Sequence, residues 1–222
     1  MRPVSLLLPE RCAVCERPGG GALCEACRRA LTWLHPPVCE RCGSPGAWPV
    51  RRCAECAGRR LSFVEARAAI VYDARARALV RSWKERGRRR LAREAALLVA
   101  EALPESRDDA CLVPVPGDPE RALRRGDVPS RALARELAAL WGVSTLDALE
   151  RSRALPRQRG LSLAARRRNV RDSVRARAEV PASVCIVDDV YTSGATAQEC
   201  AAACRRAGAR VVRVITLARA VR

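Results

Sequence analysis

The chain has 222 residues, of which 49% are hydrophobic and only 3% aromatic, and its formal net charge is +18. This length allows one ordinary domain together with a smaller module. The apolar fraction suffices for a core, which must rest on Ala, Val and Leu and therefore suits an α/β layer fold. The surplus of positive charge indicates affinity for polyanions, either a nucleic acid or a phosphorylated small molecule.

Signals for membrane insertion or secretion are weak. No segment approaches the ~20 apolar residues that are needed to cross a bilayer. The apolar run from Ser5 to Leu8 is too short for the core of a signal peptide, and no small-residue cleavage site follows it. We therefore expect a soluble, cytoplasmic protein that is not inserted in a membrane.

Residues 1–60 contain eight of the twelve cysteines, arranged as four Cys-x-x-Cys pairs with Gly and Pro between them. Two residues between thiolates let one tight turn direct both sulfurs at one ion, and two such pairs complete a tetrahedral zinc shell. We predict that residues 1–60 form a double zinc ribbon with two structural zinc ions. The predicted ligands are Cys12, Cys15, Cys24, Cys27, Cys39, Cys42, Cys53 and Cys56.

Several questions about this cysteine module stay open at the level of sequence. Disulfides conflict with a reducing cytosol, and a redox role lacks the usual strand–CxxC–helix context. Either neighbouring pairs share an ion, or the first pair joins the third. The ribbons either bind nucleic acid or protein, or serve as a scaffold that docks on the neighbouring domain. Because large apolar residues are few here, metal binding must supply most of the stability.

Residues 61–222 are predicted to form one α/β domain. The segment from Leu61 to Tyr72 is strand-like, and apolar residues then recur at helical spacing from Ala74 to Leu103, interrupted near Gly87. Lys84, the only lysine of the chain, lies just before that interruption. Its position alone is typical of a solvated helix end.

A strand–loop–helix unit follows, with a strand from Cys111 to Pro116, a basic loop from Gly117 to Asp127 and a helix from Pro129 to Leu140. Ligands of open α/β sheets bind at the carboxyl ends of the strands, where this loop lies. Arginine suits phosphate because it can chelate two oxygens at once. The candidate phosphate ligands are Arg121, Arg124 and Arg125.

The next segment is strongly basic, since residues 151–177 hold ten arginines against one aspartate. We predict short strands from Leu146 to Glu150 and from Asp172 to Arg177, with a short helix from Ser162 to Asn169 between them. Because such a segment repels itself, we interpret it as a mobile lid over an anion. A merely solvated face is the alternative.

The chain is organised around residues 184–196. A mostly β-branched run predicts a buried strand that ends in Asp188 and Asp189, and a Thr-Ser-Gly-Ala-Thr turn then opens a helix to about Ala207. The start of a helix favours phosphate because its first N–H groups lack partners and the dipole is positive there. Carboxylates accept hydrogen bonds from ribose hydroxyls, so a sugar phosphate fits both halves. Acids that merely cap a helix are the alternative. Residues 209–218 supply a final strand.

Residues 184–196 resemble the motif with which type I phosphoribosyltransferases bind phosphoribosyl pyrophosphate (PRPP). The resemblance implies a mostly parallel sheet flanked by helices, and displacement of pyrophosphate from ribose C1, a glycosyltransferase reaction. Asp188 and Asp189 would hold the ribose hydroxyls, directly or through Mg²⁺, and stabilise the cationic sugar. The 5′-phosphate would be bound by Thr192, Ser193, Gly194, Ala195 and Thr196.

Over essentially its whole length the chain resembles the ComF family of competence-associated, phosphoribosyltransferase-like proteins. Four features occur in one order: the paired Cys-x-x-Cys module, Val-Pro-Val-Pro with its basic loop, the segment 156–170, and the PRPP motif. A Lys-aromatic-x-Gly segment of that family is similar to residues 83–87, which implies that Lys84 contacts the ligand. The family's basic loop usually ends in Phe-Asn-Gln, whereas Asp127-Val128-Pro129 stands here. The resemblance implies a role in DNA uptake, with competence-machinery proteins as partners.

Two other classes of function are kept as alternatives. One is an accessory protein that binds single-stranded DNA through the ribbons and the basic segment. The charge of +18 favours contact with the DNA backbone, whereas the scarcity of aromatic residues disfavours platforms for base stacking. The other is a regulator that binds a nucleotide without turnover.

Overall fold

The computed structural model describes residues 9–85, 87–103, 111–118, 128–152 and 173–221. Its centre is a four-stranded sheet in the order β1–β6–β5–β2, in which every neighbouring pair is parallel. A separate antiparallel pair consists of β3 and β4. The strands are β1 (Glu65–Val71), β2 (Cys111–Pro114), β3 (Leu149–Arg151), β4 (Val174–Ala176), β5 (Ser183–Tyr191) and β6 (Val211–Arg219).

Helices flank this sheet, so the predicted fold class, α/β with a mostly parallel sheet, is confirmed. The helices of the described part are α1 (Glu25–Arg29), α2 (Ala74–Glu85), α3 (Leu91–Ala102), α4 (Pro129–Trp141) and α5 (Ala195–Arg206). Asp73 begins α2, because its Oδ1 accepts the backbone N–H groups of Arg75 and Ala76 at 2.9 Å each. Gly142 ends α4 in the left-handed conformation at φ 69°. None of the described helices combines the length and apolarity that a bilayer crossing requires.

Apolar side chains form two cores. The first joins α2, α3 and α4 to the sheet through residues such as Leu79, Leu98 and Leu133. The second joins α5 and the β3–β4 pair to the sheet and includes Ile186 and Val214. Small residues are frequent in both cores, and the four cysteines outside the amino-terminal pairs are also buried. They are Cys111, Cys185, Cys200 and Cys204.

The amino-terminal module packs directly on the sheet. Leu34 donates its backbone N–H to the Ala69 carbonyl at 2.9 Å, and Val71 donates to the Thr32 carbonyl at 2.8 Å. Residues 32–34 therefore pair antiparallel with β1 and cover a strand edge that would otherwise attract other chains. Thr32 also donates a side-chain hydrogen bond to Asp73 at 2.8 Å, which joins this pairing to the start of α2.

The second half of the module docks on the other core. Arg41 donates to the carbonyls of Leu61 at 2.7 Å and Val64 at 3.2 Å. A side chain at Gly43 would place its Cβ only 2.4 Å from the Ala66 carbonyl oxygen, so glycine is required by this close approach. Of the two roles left open for the ribbons, docking on the neighbouring domain is the one observed. Each of the two cores contains side chains from residues 1–60 and from residues 61–222. The division of the chain into these two domains stays a prediction.

The observed elements differ from the expected ones mainly at their ends. The first sheet strand begins at Glu65 rather than Leu61, and β5 continues through the two acids to Tyr191. The short strands around the basic segment are observed as β3 and β4. The predicted helix from Ser162 to Asn169, and with it most of the basic segment 151–177, lies outside the described residues.

Candidate functional site

The eight paired cysteines form two clusters, in each of which the four sulfur atoms lie within 4.8 Å of one another. Neighbouring pairs share a cluster, so the interleaved arrangement is excluded. Separations of 3.7 Å for Cys15–Cys24 and 3.5 Å for Cys42–Cys53 match a tetrahedron with Zn–S bonds of about 2.3 Å, whose edges are about 3.8 Å. The first cluster is Cys12, Cys15, Cys24 and Cys27; the second cluster is Cys39, Cys42, Cys53 and Cys56.

Backbone N–H groups around the clusters favour thiolates. Val14 and Cys24 donate to the Cys12 sulfur at 3.4 and 3.5 Å. Burial raises the pKa of Cys12, but these donors outweigh burial and bring its pKa down to about 6. Burial and the neighbouring thiols raise the pKa of Cys27 to about 12. Four thiolates so close together repel one another, and a bound dication removes that repulsion, so both clusters fit a structural zinc ion.

A second group of polar residues lies at the carboxyl end of β5, between β2 and β6. Asp189 is only 6% exposed, and its Oδ2 lies 2.5 Å from the Lys84 ammonium of α2. Burial lowers the pKa of Lys84, but the charges of Asp189 and Asp188 outweigh this effect and raise it. Lys84 is therefore not a solvated helix end, since it forms an ion pair with a buried carboxylate.

Asp188 has a different environment from its neighbour, because adjacent strand residues point to opposite faces of a sheet. It interacts electrostatically with Arg151 of β3 and Cys200 of α5, and its Oδ1 accepts the Asp189 N–H at 2.9 Å. Burial and the charge of Asp189 raise the pKa of Asp188 to about 7, against the opposing effect of Lys84. Asp189 is therefore paired with a cation, while the Asp188 carboxyl has a pKa near neutral pH.

The anion turn, residues 192–196, connects β5 to α5. Gly194 occupies the helix cap with φ 69°, a left-handed conformation that favours glycine. A Cβ at this position would lie 2.2 Å from the Tyr191 hydroxyl oxygen. Ser193 Oγ accepts the Ala195 N–H at 3.3 Å, while Thr192 and Thr196 are half-buried. The start of α5 thus faces the same edge as the two acids.

Arg151 is a site residue that the sequence did not single out. Its Nε donates to the Pro116 carbonyl at 3.1 Å, next to the end of β2. Its buried Nη1 has no hydrogen-bond partner among the described residues. The only sequence signal was that Arg151 opens the basic segment, and nothing distinguished it from the other nine arginines there. Arg121, Arg124 and Arg125, the predicted phosphate ligands, lie outside the described residues.

Comparison with known proteins agrees with this architecture. Residues 4–59 match the family model described as a double zinc ribbon domain. The chain is 31% identical over 230 residues to "DNA utilization protein YhgH" of Salmonella typhimurium, an alignment that covers 96% of this chain and 99% of the relative. It is 28% identical over 214 residues to "Competence protein F" of Haemophilus influenzae, with 89% and 90% covered. The chain belongs to the ComF family.

Within this ComF-family chain, the matched ribbon segment contains all eight clustered cysteines. The Escherichia coli K12 relative, also called "DNA utilization protein YhgH", is 30% identical over 228 residues and aligns with 96% of the chain. The similarity to the relatives therefore extends beyond the ribbons and through β5 and the anion turn.

Proposed function

We propose that this ComF-family protein binds PRPP or a related ribose phosphate at the carboxyl end of β5, and that it is a phosphoribosyltransferase which releases pyrophosphate. The observation that carries the proposal is the position of Asp188 and Asp189 beside the start of α5, with the Lys84 ammonium 2.5 Å from Asp189. Carboxylates, a helix start and a cation are the groups that a phosphorylated sugar requires.

The two ends of the ligand would meet different groups. The 5′-phosphate would occupy the anion turn, where the N–H groups at the start of α5 and its dipole favour negative charge. Gly194 gives the turn its left-handed conformation, and the space that a Cβ would take there is filled by the Tyr191 ring. The pyrophosphate would lie toward Lys84 and Arg151, whose Nη1 has no hydrogen-bond partner within the described part of the chain and is a donor available to an anion.

The ribose would lie between these ends, with its hydroxyls donating hydrogen bonds to Asp188 and Asp189. As pyrophosphate leaves, positive charge develops on the sugar, and two nearby carboxylates stabilise it electrostatically. Mg²⁺ prefers oxygen ligands, so Asp188 and Asp189 fit it, and the ion would neutralise charge on the departing pyrophosphate. In the free protein Lys84 forms an ion pair with Asp189. When the ligand binds, the Lys84 ammonium would leave Asp189 and contact the ligand.

The biological role proposed here is in the use or uptake of DNA, with competence-machinery proteins as partners, as the names of the relatives suggest. A cytoplasmic location is part of the same proposal.

Isothermal titration calorimetry with PRPP and Mg²⁺ tests the central claim. We expect binding by the wild type, and a loss of about tenfold or more for Asp189→Asn, because hydrogen bonds to a charged group contribute about 1.5–3 kcal/mol. Glu136→Gln is the matched control, since Glu136 pairs with Arg93 between α3 and α4. A wild type that gives no heat would sink the proposal. Pyrophosphate release with a panel of nucleobases and amines then separates a transferase from a non-catalytic sensor.

A second candidate function, binding of single-stranded DNA, is favoured by one exposed aromatic residue. Trp48 in the second half of the cysteine module is 70% exposed, and the exposed Arg51 and Arg52 follow it in the same loop. Stacking of a base on an aromatic side chain contributes about 1–3 kcal/mol. Fluorescence anisotropy with labelled oligo(dT) should show Trp48→Ala weakening binding about tenfold or more, with His35→Ala in the same module as the control. Equal affinity of both variants and the wild type would argue against this candidate.

A further inference from the structure

One buried arginine connects the second cysteine cluster to the candidate ligand site. Arg219 is the last residue of β6 and is 1% exposed. Its Nη1 donates to the Cys42 carbonyl at 2.6 Å, and its Nη2 lies 2.5 Å from Glu55 Oε2 and 3.7 Å from the Cys42 sulfur. A buried guanidinium requires such hydrogen-bond and charge partners. Here both partners belong to the cysteine module: Cys42 is a cysteine of the second cluster, and Glu55 immediately precedes another, Cys56.

The other side of the same guanidinium contacts the strand that carries the two acids. Arg219 and Tyr191 are register partners on β6 and β5, and the guanidinium carbon lies 4.6 Å from the centre of the Tyr191 ring. This is a cation–π contact in a buried setting. Tyr191 in turn packs against Gly194, where an added Cβ would overlap the Tyr191 ring. The contacts therefore run from Cys42 through Arg219 and Tyr191 to the anion turn.

The first cluster has no comparable connection among the described residues. Its cysteines pack in the other core, with α2 and α3. Residues next to this cluster form ion pairs that also lead away from the anion turn. Arg28 pairs with Glu101 of α3, and Glu10 pairs with Arg90 at 3.0 Å. The two clusters have the same four-thiolate chemistry but different neighbours.

We propose that Arg219 is a positioning residue through which the second cysteine cluster holds the anion turn in its binding geometry. A metal ion in that cluster fixes the Cys42 backbone, Cys42 and Glu55 fix the plane of the guanidinium, and the guanidinium fixes the Tyr191 ring against Gly194. The second ribbon is thus part of the ligand site, whereas the first supports the opposite face of the sheet. The consequence for ligand binding rests on the proposed function, but the mechanical coupling does not.

Hydrogen–deuterium exchange of the ligand-free, zinc-loaded protein tests the coupling directly. Arg219→Met keeps most of the side-chain volume but removes the hydrogen bonds and the charge. We expect faster exchange in residues 192–196 with two zinc ions still bound per chain. Arg28→Met, which breaks the pairing of the first ribbon with α3, is the matched control and should leave that segment unchanged. Unchanged exchange in Arg219→Met would overturn the proposal.

Two further measurements separate positioning from a general structural effect. In the Co²⁺-substituted protein, loss of the guanidinium near the Cys42 sulfur should shift the thiolate-to-metal absorption band, which Arg28→Met should not do. Arg219→Lys keeps a charge near Glu55 but cannot stack as a planar group, so it should restore the exchange rate only in part. If Arg219→Met does not fold, Arg219→Lys carries the test, and wild-type exchange and spectrum in that variant would count against the proposal.

A double-mutant cycle tests the path through Tyr191. Tyr191→Leu removes the ring, so adding Arg219→Met to it should change exchange in residues 192–196 little further, because both variants interrupt one chain of contacts. Additive effects would contradict that path. For PRPP, we expect Arg219→Met to weaken binding about tenfold, a typical coupling between sites. If the wild type does not bind PRPP, the proposed function is wrong. The exchange measurements alone then test the coupling between the second cluster and the anion turn.

Discussion

Asp188 and Asp189 show at the scale of single residues how one pair of acids acquires two electrostatic environments. Asp189 is buried and paired with Lys84. Burial and the neighbouring carboxylate raise the pKa of Asp188 to about 7, so it resists ionisation in the free protein. Clefts that bind charged ligands are where such perturbed pKa values concentrate. Positive charge from a ligand or metal ion beside Asp188 would lower the pKa of this carboxyl group, and the ionised carboxylate would in turn stabilise the bound charge.

The raised pKa of Asp188 predicts a pH-dependent effect of Asp188→Asn on stability. The unfolded chain ionises this group near pH 4, whereas the folded protein does so near pH 7. Between these values the folded state holds a proton that the unfolded state has lost, so this group's contribution to stability falls as pH rises. Asparagine carries no such proton. The gain in melting temperature of Asp188→Asn over the wild type should therefore increase from pH 5 to pH 8 in magnesium-free buffer. A constant difference would contradict the assignment.

Gly194 is predicted to be intolerant of any side chain. In Gly194→Ala the backbone at φ 69° costs about 1–2 kcal/mol, and the new Cβ would overlap the Tyr191 ring. We expect a lower free energy of unfolding in urea and weaker PRPP binding. Gly142→Ala is the control, because Gly142 has the same φ of 69° but no atom within 4 Å of the added Cβ. Equal destabilisation of the two variants would show that the contact with Tyr191 is unimportant.

At the scale of elements, the cysteine module is an integral part of the sheet. Residues 32–34 pair with β1, and Cys39, Cys42 and Cys56 belong to the second core. Ser62 reinforces this packing, because its backbone N–H and its hydroxyl both pair with the Gln198 side chain of α5 at 2.7 Å. The segment that joins the module to the sheet is therefore held on α5 as well.

This packing predicts that residues 61–222 alone do not form a stable protein. Their isolation would expose the edge of β1, uncover both cores, and leave the buried Arg219 without Cys42 and Glu55. An unpaired buried charge typically costs 3–5 kcal/mol, about the margin of a small domain. We expect the truncated chain to aggregate or to lack cooperative melting, with the full chain as the reference. A monomeric, cooperatively melting fragment would show instead that the module is dispensable for folding.

At the scale of the whole molecule, metal binding and folding are predicted to be coupled. Elemental analysis should find two zinc ions per chain, because two four-cysteine clusters are present and each matches a structural zinc site. Chelation of zinc should lower the melting temperature and broaden the transition, since both clusters share cores with the sheet. Cys204→Ser is the matched control: its sulfur is buried outside the clusters, so this variant should retain both ions. A chain without zinc that melts like the loaded protein would refute the coupling.

Much of this architecture was predictable from local pattern. Four Cys-x-x-Cys pairs predict two four-sulfur sites because ligand spacing within a pair is set by a single turn. A β-branched run that ends in two acids and a Gly-containing turn predicts β5 followed by α5, because strand, turn and helix preferences all depend on neighbouring residues. The α/β class followed from the same local rules.

Contacts between distant residues required the tertiary structure. Local spacing cannot tell which cysteine pairs share a cluster, since both partitions satisfy the same turns. Lys84 pairs with Asp189, and Arg151 donates to the Pro116 carbonyl. Arg219 contacts both Cys42 and Tyr191. These residues are far apart in the sequence, and no periodic pattern predicts that they are in contact. Arginine is the commonest charged residue of this chain, so composition could not distinguish Arg219, which is buried, from the arginines that face solvent. The sequence determined which chemical groups are present and on which elements they lie, while the packing of the module on the sheet decided which of them meet, because burial and pairing depend on all the chain at once.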